Sequence, residues 1–461
     1  MNLDRTATDR STRNGLLAAL LATIVFDQLF WHETIGVNLS LFALLIVVLI
    51  TLRSGWRDLS GPAKWTGLGV LVSAFMLTWH GSTIACFSLI ASLTAFAGLA
   101  HASALRTHLS AIVQYLGDTL AAPIGMARSV GGIFNGPPIA RKTWRWSKLV
   151  LLPLLIVMVY FYIYRSANSK FDALTAGFLD TIGQWIDRFF REVFTPHALF
   201  FLFGLVVCSG LLLRFGRRWL EDAESAISDR LVRVREKRPH WLAPLNMGAL
   251  GRELRMGIVL LVMVNALLLL VNIIDIHWVW FGFEVEPGMS LKEFVHEGTW
   301  LLIVSILLSM GILFHLFRRN LNFHPRNRML RLLAHAWIAQ NFILGISVFL
   351  RNYHYIAFHG LAYRRIGVIV FLVLMLVGLI TLAMKIRDRR SFFYLMRING
   401  WAAFVVMIFL GTVDWDTVIV RCNLHHWNQG EIDVDNYLAM SDKVLPLLYD
   451  DVDRVRAQMA K

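Results

Sequence analysis

Eleven stretches of uncharged, mostly apolar residues divide this chain of 461 residues, and a soluble domain has no use for so many. They run over about 15–30, 35–52, 65–79, 82–100, 149–164, 197–213, 256–274, 299–317, 332–350, 366–384 and 398–413. In a bilayer such a run folds as a helix, because a helix pairs its backbone N–H and C=O groups within itself. The expected fold is therefore all-α: a polytopic membrane helical bundle of about 11 transmembrane helices. Composition agrees, with 57% hydrophobic and 16% charged residues and a mean hydropathy of +0.57. The first run is followed by Trp31, His32 and Glu33 instead of a small-residue cleavage pattern, so it reads as an anchor and not a removable signal.

The charges set an orientation. With the N-terminus cytosolic, 32 of the 45 Lys and Arg residues fall on the inner side and 13 on the outer, whereas 11 acidic residues are inside and 19 outside. That bias places the N-terminus in the cytosol and the C-terminus outside. The formal net charge of +14 then reflects topology and contact with anionic lipids at the cytosolic face, not nucleic-acid binding. Of three cysteines, Cys86 and Cys208 lie in spans and Cys422 is alone outside, so no intramolecular disulfide framework is available there.

Five regions follow from this pattern: a four-span part at 1–105, a cytosolic interfacial segment at 106–148, and two spans with an outer amphipathic helix and a basic cytosolic stretch at 149–254. A five-span core at 255–413 and an outer helical tail at 414–461 complete the chain. Asp27 is the one carboxylate inside a span; it reads as a relay or, preferably, as a group near enough to the outer surface to be solvated beside Gln28 and His32. The glycines before Lys142-Thr143 lack the Gly-Lys-Ser/Thr closure of a phosphate loop. Residues 214–255 interleave ten Lys/Arg with Glu221, Asp222, Glu224, Asp229, Glu236 and Glu253, the pattern of a solvated helix pair or of a docking surface for lipid headgroups or a protein partner.

The chemically dense stretch is 328–365. Gln340 and Asn341 fall at mid-depth of a span and should turn away from lipid, on a face shared with Trp337, Leu344, Val348 and Arg351. Topology brings three groups to the same outer level: His296 and Glu297; Arg351, Tyr355 and Arg364; and Asp414, Arg421 and Asn423. These ten residues, Gln340 and Asn341 included, are the candidates for binding or for lining a vestibule. His296, Glu297, His425, His426 and Asp414 are zinc-type ligands by identity, but adjacent histidines do not give the i, i+4 geometry of a helical site, so no metal or other cofactor is assigned. His315 and His335, near the inner ends of successive spans, read as a proton-handling pair or, more simply, as separately satisfied histidines.

Several landmarks of the second half occur together and in order: PGMSLKEFVHEGTW, RLLAHAWIAQNFIL, LAYRRIG, VDWDTVIVRCNL and IDVDNYLAMSDKVLPLL. In these, over residues 255–448, the chain resembles the bacterial membrane-protein family catalogued as domain of unknown function 4173, with its relative 4153. The resemblance implies a multi-pass protein of a bacterial cytoplasmic (inner) membrane and carries no activity with it. Three functional classes remain. A transporter, channel or lipid-handling protein needs a polar cavity reaching mid-membrane. A signalling or scaffold component needs only a packed bundle in which Gln340 and Asn341 bridge helices. A membrane-embedded enzyme needs perturbed acids or a metal in a closed pocket, and no motif here is strong enough to assign one.

Overall fold

The computed structural model describes residues 2–133, 195–215, 218–233, 249–281, 291–318, 320–425 and 437–450, with isolated positions between 153 and 188 and at 452. Among them the regular structure is helical, apart from an isolated bridge between Arg230 and Arg390. Eight helices are long and apolar enough to cross a membrane, against the eleven expected. They coincide with the runs at 15–30, 35–52, 82–100, 256–274, 299–317, 332–350, 366–384 and 398–413. The run at 65–79 is a helix whose apolar content Thr66, Gly67, Gly69 and Ser73 dilute, the run at 197–213 is a helix of 17 residues, and the run at 149–164 lies almost entirely outside the described residues. The chain divides into two units, Met1–Glu224 and Ser225–Lys461.

The first unit holds α1 (Asn2–Phe30), α2 (Val37–Ser54), α3 (Gly61–His80), α4 (Thr83–His101), α5 (His108–Ile133) and α6 (Pro196–Leu212), with the short α7 (Trp219–Ala226) at its end. Hydroxyls start three of these helices: Ser60, Ser82 and Thr195 accept from the N–H groups of Ala63, Ala85 and Ala198. Small residues then let the helices approach. Ser73 and Ser88 join α3 to α4 through a hydroxyl pair at 2.8 Å, and Ser40 on α2 donates to the Ala74 carbonyl. At Gly98 a Cβ would sit 2.0 Å from the Ala111 carbonyl oxygen, so α4 and α5 meet backbone to backbone. Thus α5, in a stretch expected to be interfacial, packs against α4 and α6 and buries Ala111, Tyr115, Asp118 and Ala122. Its polar His108, Gln114 and Asp118 keep it from registering as an apolar run.

The second unit holds α8 (Ala249–Asp275), extended by a π-helical turn at Ile276–Trp280, then α9 (Leu291–Leu316), α10 (Arg328–His359), α11 (Tyr363–Asp388), α12 (Phe392–Gly411), α13 (Trp415–His425) and α14 (Leu445–Asp450). The middle helix is α10, packed on α8, α9 and α11. At one end of this unit the buried Lys385 of α11 donates to the Phe317 carbonyl at 2.8 Å and lies over the Phe314 ring, a cation closing the C-terminus of α9. Nearby, Asp229 pairs with Arg397 at 2.8 Å, and the backbone of Asp229 and Leu231 bonds to Ser391 and Arg389. At the other end Ile366 joins Ile419, Val420, Leu424, Tyr437, Val444 and Leu448 in a small apolar cluster, so the C-terminal helices pack on the start of α11.

Candidate functional site

The buried positions of α8 and its π-turn are Leu254, Gly257, Leu261, Asn265, Leu268, Asn272, Asp275 and Val279, advancing by three and four residues. That is a heptad stripe, and it faces α10. Asn265 Nδ2 donates to the Leu333 carbonyl at 3.1 Å and Asn272 Nδ2 to the Gln340 carbonyl at 3.1 Å. The two bonds are the same contact repeated seven residues further along both helices. A constant offset over seven residues means that the two helices run parallel in one register, the arrangement a heptad stripe favours. Between the two rungs Gln340 Nε2 donates to Asn265 Oδ1 at 2.9 Å, and beyond them Arg351 donates to Asp275 at 2.5 Å with both side chains less than a tenth exposed. Trp280 Nε1 to Ser347 Oγ at 2.9 Å and a bond between His354 Nε2 and the Val279 carbonyl close the seam at its far end.

This seam has a polarity of its own. The side-chain N–H groups of Asn272 and Asn341 go to backbone carbonyls, and that of Gln340 goes to the Asn265 oxygen, so the oxygens are what remain. Among the described residues, Asn272 Oδ1, Asp275 Oδ2, Gln340 Oε1 and Asn341 Oδ1 are buried with no protein donor. Each such acceptor costs about 1–3 kcal/mol relative to a satisfied one. Four acceptors in one bundle favour a species that brings donors or positive charge. Arg351 is compensated by Asp275, which removes it as a free receptor for an anion.

The outer candidates form a different cluster. Tyr355 is buried, with its ring 4.6 Å from His359 and the Arg365 guanidinium 4.5 Å above it. Asn423 accepts from the Leu361 N–H and donates to the Leu361 carbonyl and the Tyr437 hydroxyl, clamping α13 to the turn between α10 and α11. That turn needs its glycine, since Gly360 has φ +82° and a Cβ there would meet the Asn423 carboxamide at 2.7 Å. Asp414 accepts from the Thr417 hydroxyl at 3.1 Å and faces Lys443 at 3.9 Å, which makes it the opening cap of α13. Arg364 and Arg421 are exposed. The structure therefore gathers Asn423 and Asp414 around the docking of the tail and sets Tyr355 against His359 and Arg365, whereas Gln340, Asn341 and Arg351 belong to the interior of the bundle.

The model of the family described as domain of unknown function (DUF4153) matches residues 15–450. The chain belongs to that family. The DUF4153 match takes in both units, well beyond the stretch of resemblance at 255–448, and it names 4153 and not its relative 4173. No curated protein and no solved structure matches the chain. The family description assigns no activity, so the chemistry of this DUF4153 protein has to be argued from its residues. With eight helices apolar enough to span, it is an integral membrane protein.

Among the described residues no three His, Cys, Asp or Glu side chains come together as a metal cluster; the side chains of His296, Glu297, His425 and His426 lie outside those residues. His315 bonds to Arg318 and His335 to the Arg331 carbonyl, each within one turn of its own helix, so the two histidines do not pair. Asp27 differs from the solvated carboxylate expected. It is 7% exposed, and both its oxygens lie 2.9 Å from His197 Nε2, whose ring sits 4.5 Å from that of Trp31. Two further buried carboxylate sites lie in this unit: Asp118, which the sequence did not single out, and Glu224, which is buried and not the solvated helix charge expected in 214–255. Asp118 accepts from the Phe215 N–H and from Gln114, with His101 at 3.6 Å; Glu224 accepts from the Arg106 N–H. Sequence reasoning also missed Asn265, Asn272 and Asp275, though two asparagines seven residues apart in an apolar run are a readable signal.

Proposed function

We propose that this protein resides in a bacterial cytoplasmic membrane, N-terminus inside and C-terminus outside, and that the seam between α8 and α10 is a path or binding site for a small cationic or hydrogen-bond-donating solute. Transport or channel activity is the reading best supported. One observation carries it: four buried acceptor oxygens at Asn272, Asp275, Gln340 and Asn341 without donors among the described residues, on the facing sides of α8 and α10. Recognition of an anion, for which Arg351 is the obvious residue, fits poorly, because Asp275 already neutralises it. The scaffold reading draws its support from the Gln340–Asn265 bond, which ties α10 to α8 as a purely structural bridge would.

Water access separates the two. In a background with Cys86, Cys208 and Cys422 replaced, Gln340→Cys and Asn272→Cys are treated in intact cells with a charged, membrane-impermeant thiosulfonate. Tyr353→Cys, at an exposed position of α10, reports that the reagent reaches the protein, and Val262→Cys, on the exposed face of α8, reports the unreactive lipid side. A solute path predicts modification at 340 or 272. Modification at 353 alone is the result of a dry, packed bundle and would remove the transport reading.

A further inference from the structure

On the side of α10 away from the seam, a groove of about 550 Å³ runs between α10 and α11. Its apolar walls are Ile338, Phe342 and Ile343 of α10 and Ile380 and Met384 of α11, and the small side chains of Ala339 and Ala383 leave it concave. From residue 335 to residue 343 it extends about 12 Å along the helix, most of the depth of one hydrocarbon leaflet. Its volume is that of a small-molecule site.

One end of the groove is cationic. His335 and Arg387 line it. Arg331, one turn before His335, reaches across to α11 and donates from Nη2 to the Arg387 carbonyl at 2.6 Å, while its Nε is buried with no partner. His335 Nδ1 donates to the Arg331 carbonyl at 2.7 Å, which sets the ring at the edge of the groove. The carboxylate facing this end is Asp388, which accepts from Arg387 Nε at 3.0 Å in a pair of which Arg387 is two-thirds exposed. Arg389 and Arg390 follow, and Asp229 is held by Arg397. Arg387, with Arg331 bonded to its carbonyl, thus stands at the mouth of an apolar slot, and Asp388 is the carboxylate beside it.

We propose that this groove is a specific site for an anionic phospholipid, its phosphate held by Arg331 and Arg387 and one acyl chain lying over Ala339 and Ala383. An acyl chain is the occupant that an apolar slot opening on the bilayer receives, and the basic mouth selects the headgroup. The site is separate from the seam, and the outcome of thiol modification at 340 or 272 does not bear on it.

The test is retention of lipid by the full chain, purified in mild detergent, delipidated and offered phosphatidylglycerol or phosphatidylcholine with identical chains, with bound lipid counted by native mass spectrometry. The wild type should keep one phosphatidylglycerol through washing, preferred over phosphatidylcholine by roughly fivefold for each arginine engaged. Arg331→Gln with Arg387→Gln should bring the two lipids to equal retention, and Ala339→Trp, which fills the slot, should lose the retained lipid of either kind. Both variants are scored only as monodisperse protein melting near the wild type, and Ala339→Leu serves if Ala339→Trp does not fold. Unchanged phosphatidylglycerol retention in either variant overturns the proposal. So does a disulfide-linked dimer formed by Ala339→Cys in the cysteine-replaced background, which would mean that a second copy of the chain covers the groove.

Discussion

Arg351→Met isolates the energetics of the seam. The Arg351–Asp275 contact is 2.5 Å, with side chains 9% and 6% exposed. At an effective dielectric of 20 the attraction is about 6–7 kcal/mol, similar to the several kcal/mol lost per ion on leaving water, so the intact pair contributes little net stability. Its rupture is another matter. Removing Arg351 strands a buried carboxylate whose Oδ2 already lacks a donor, at a cost of about 3–5 kcal/mol. Removing both charges together, in Asp275→Leu with Arg351→Met, should return stability to within about 1 kcal/mol of the wild type. The coupling between the two positions is then at least about 3 kcal/mol, the upper end of what contacting residues show. For a unit of this size 1 kcal/mol moves the midpoint by about 2–4 °C, so Arg351→Met should melt about 6–20 °C lower. Thermal unfolding in nanodiscs, followed by tryptophan emission, to which Trp280 and Trp337 of the same unit contribute, measures the cycle. If both single variants melt within 2 °C of the wild type, or if their effects simply add in the double variant, the pair is neither desolvated nor coupled and the seam has been misread.

Three other outcomes follow from the same physics. Asn265→Leu, which loses the bonds to Leu333 and Gln340, should lower the stability of the second unit by about 0.6–1.7 kcal/mol per bond, the range for hydrogen bonds between membrane helices, and Asn272→Leu by less because it also removes a donorless oxygen; equal melting of wild type and Asn265→Leu would show that this rung carries no weight. Burial pushes the His108 imidazole down to about 4 from its usual 6.5, so the unfolded chain binds the extra proton between those values and stability falls as pH drops through that window, by on the order of 3 kcal/mol in total. His108→Leu should flatten that part of the pH–melting profile and leave it unchanged above pH 6.5. Cys422 in intact cells should react with an impermeant maleimide and a cysteine at Ser225 should react only after permeabilisation; reaction of both from one side would overturn the proposed orientation.

What was legible in the sequence was what depends on the chain locally. Each of the eight spanning helices lies over an apolar run, since a window of about twenty residues is enough to decide whether a helix can remain in lipid. The partners of polar groups are not local. Asp27 looks solvated beside Gln28 and His32, and only the packing of α6 on α1 reveals His197, 170 residues away, as its partner. The same holds for Asn423, whose carboxamide finds Leu361 across 62 residues and turns an outer-surface candidate into a clamp on the C-terminal tail. Helix α5 was hidden for the converse reason: the groups that let it pack inside the first unit, Gln114 and Asp118, are those that make it look too polar to be inside.

The seam falls between these cases. Asn265 and Asn272 disappear in a hydropathy average because seventeen uncharged, non-amide residues surround them over 256–274, yet their separation of seven is visible to the eye. On a lone helix a seven-residue spacing drifts by about 20° per repeat, so it stays on one face only if a partner helix wraps with it. Asn265 with Leu333 and Asn272 with Gln340 show that the register is kept over one repeat, since the offset between α8 and α10 does not change from one rung to the next. Because each amide donates to a backbone carbonyl, the register is fixed whatever side chain occupies the α10 position. Gln340 is therefore free to vary its own side-chain partner while the helices stay in place. That separation of duties, backbone carbonyls for register and side-chain oxygens left over, is what allows a tightly packed helix pair to keep open acceptors at Asn272 and Gln340 instead of consuming them in its own cohesion.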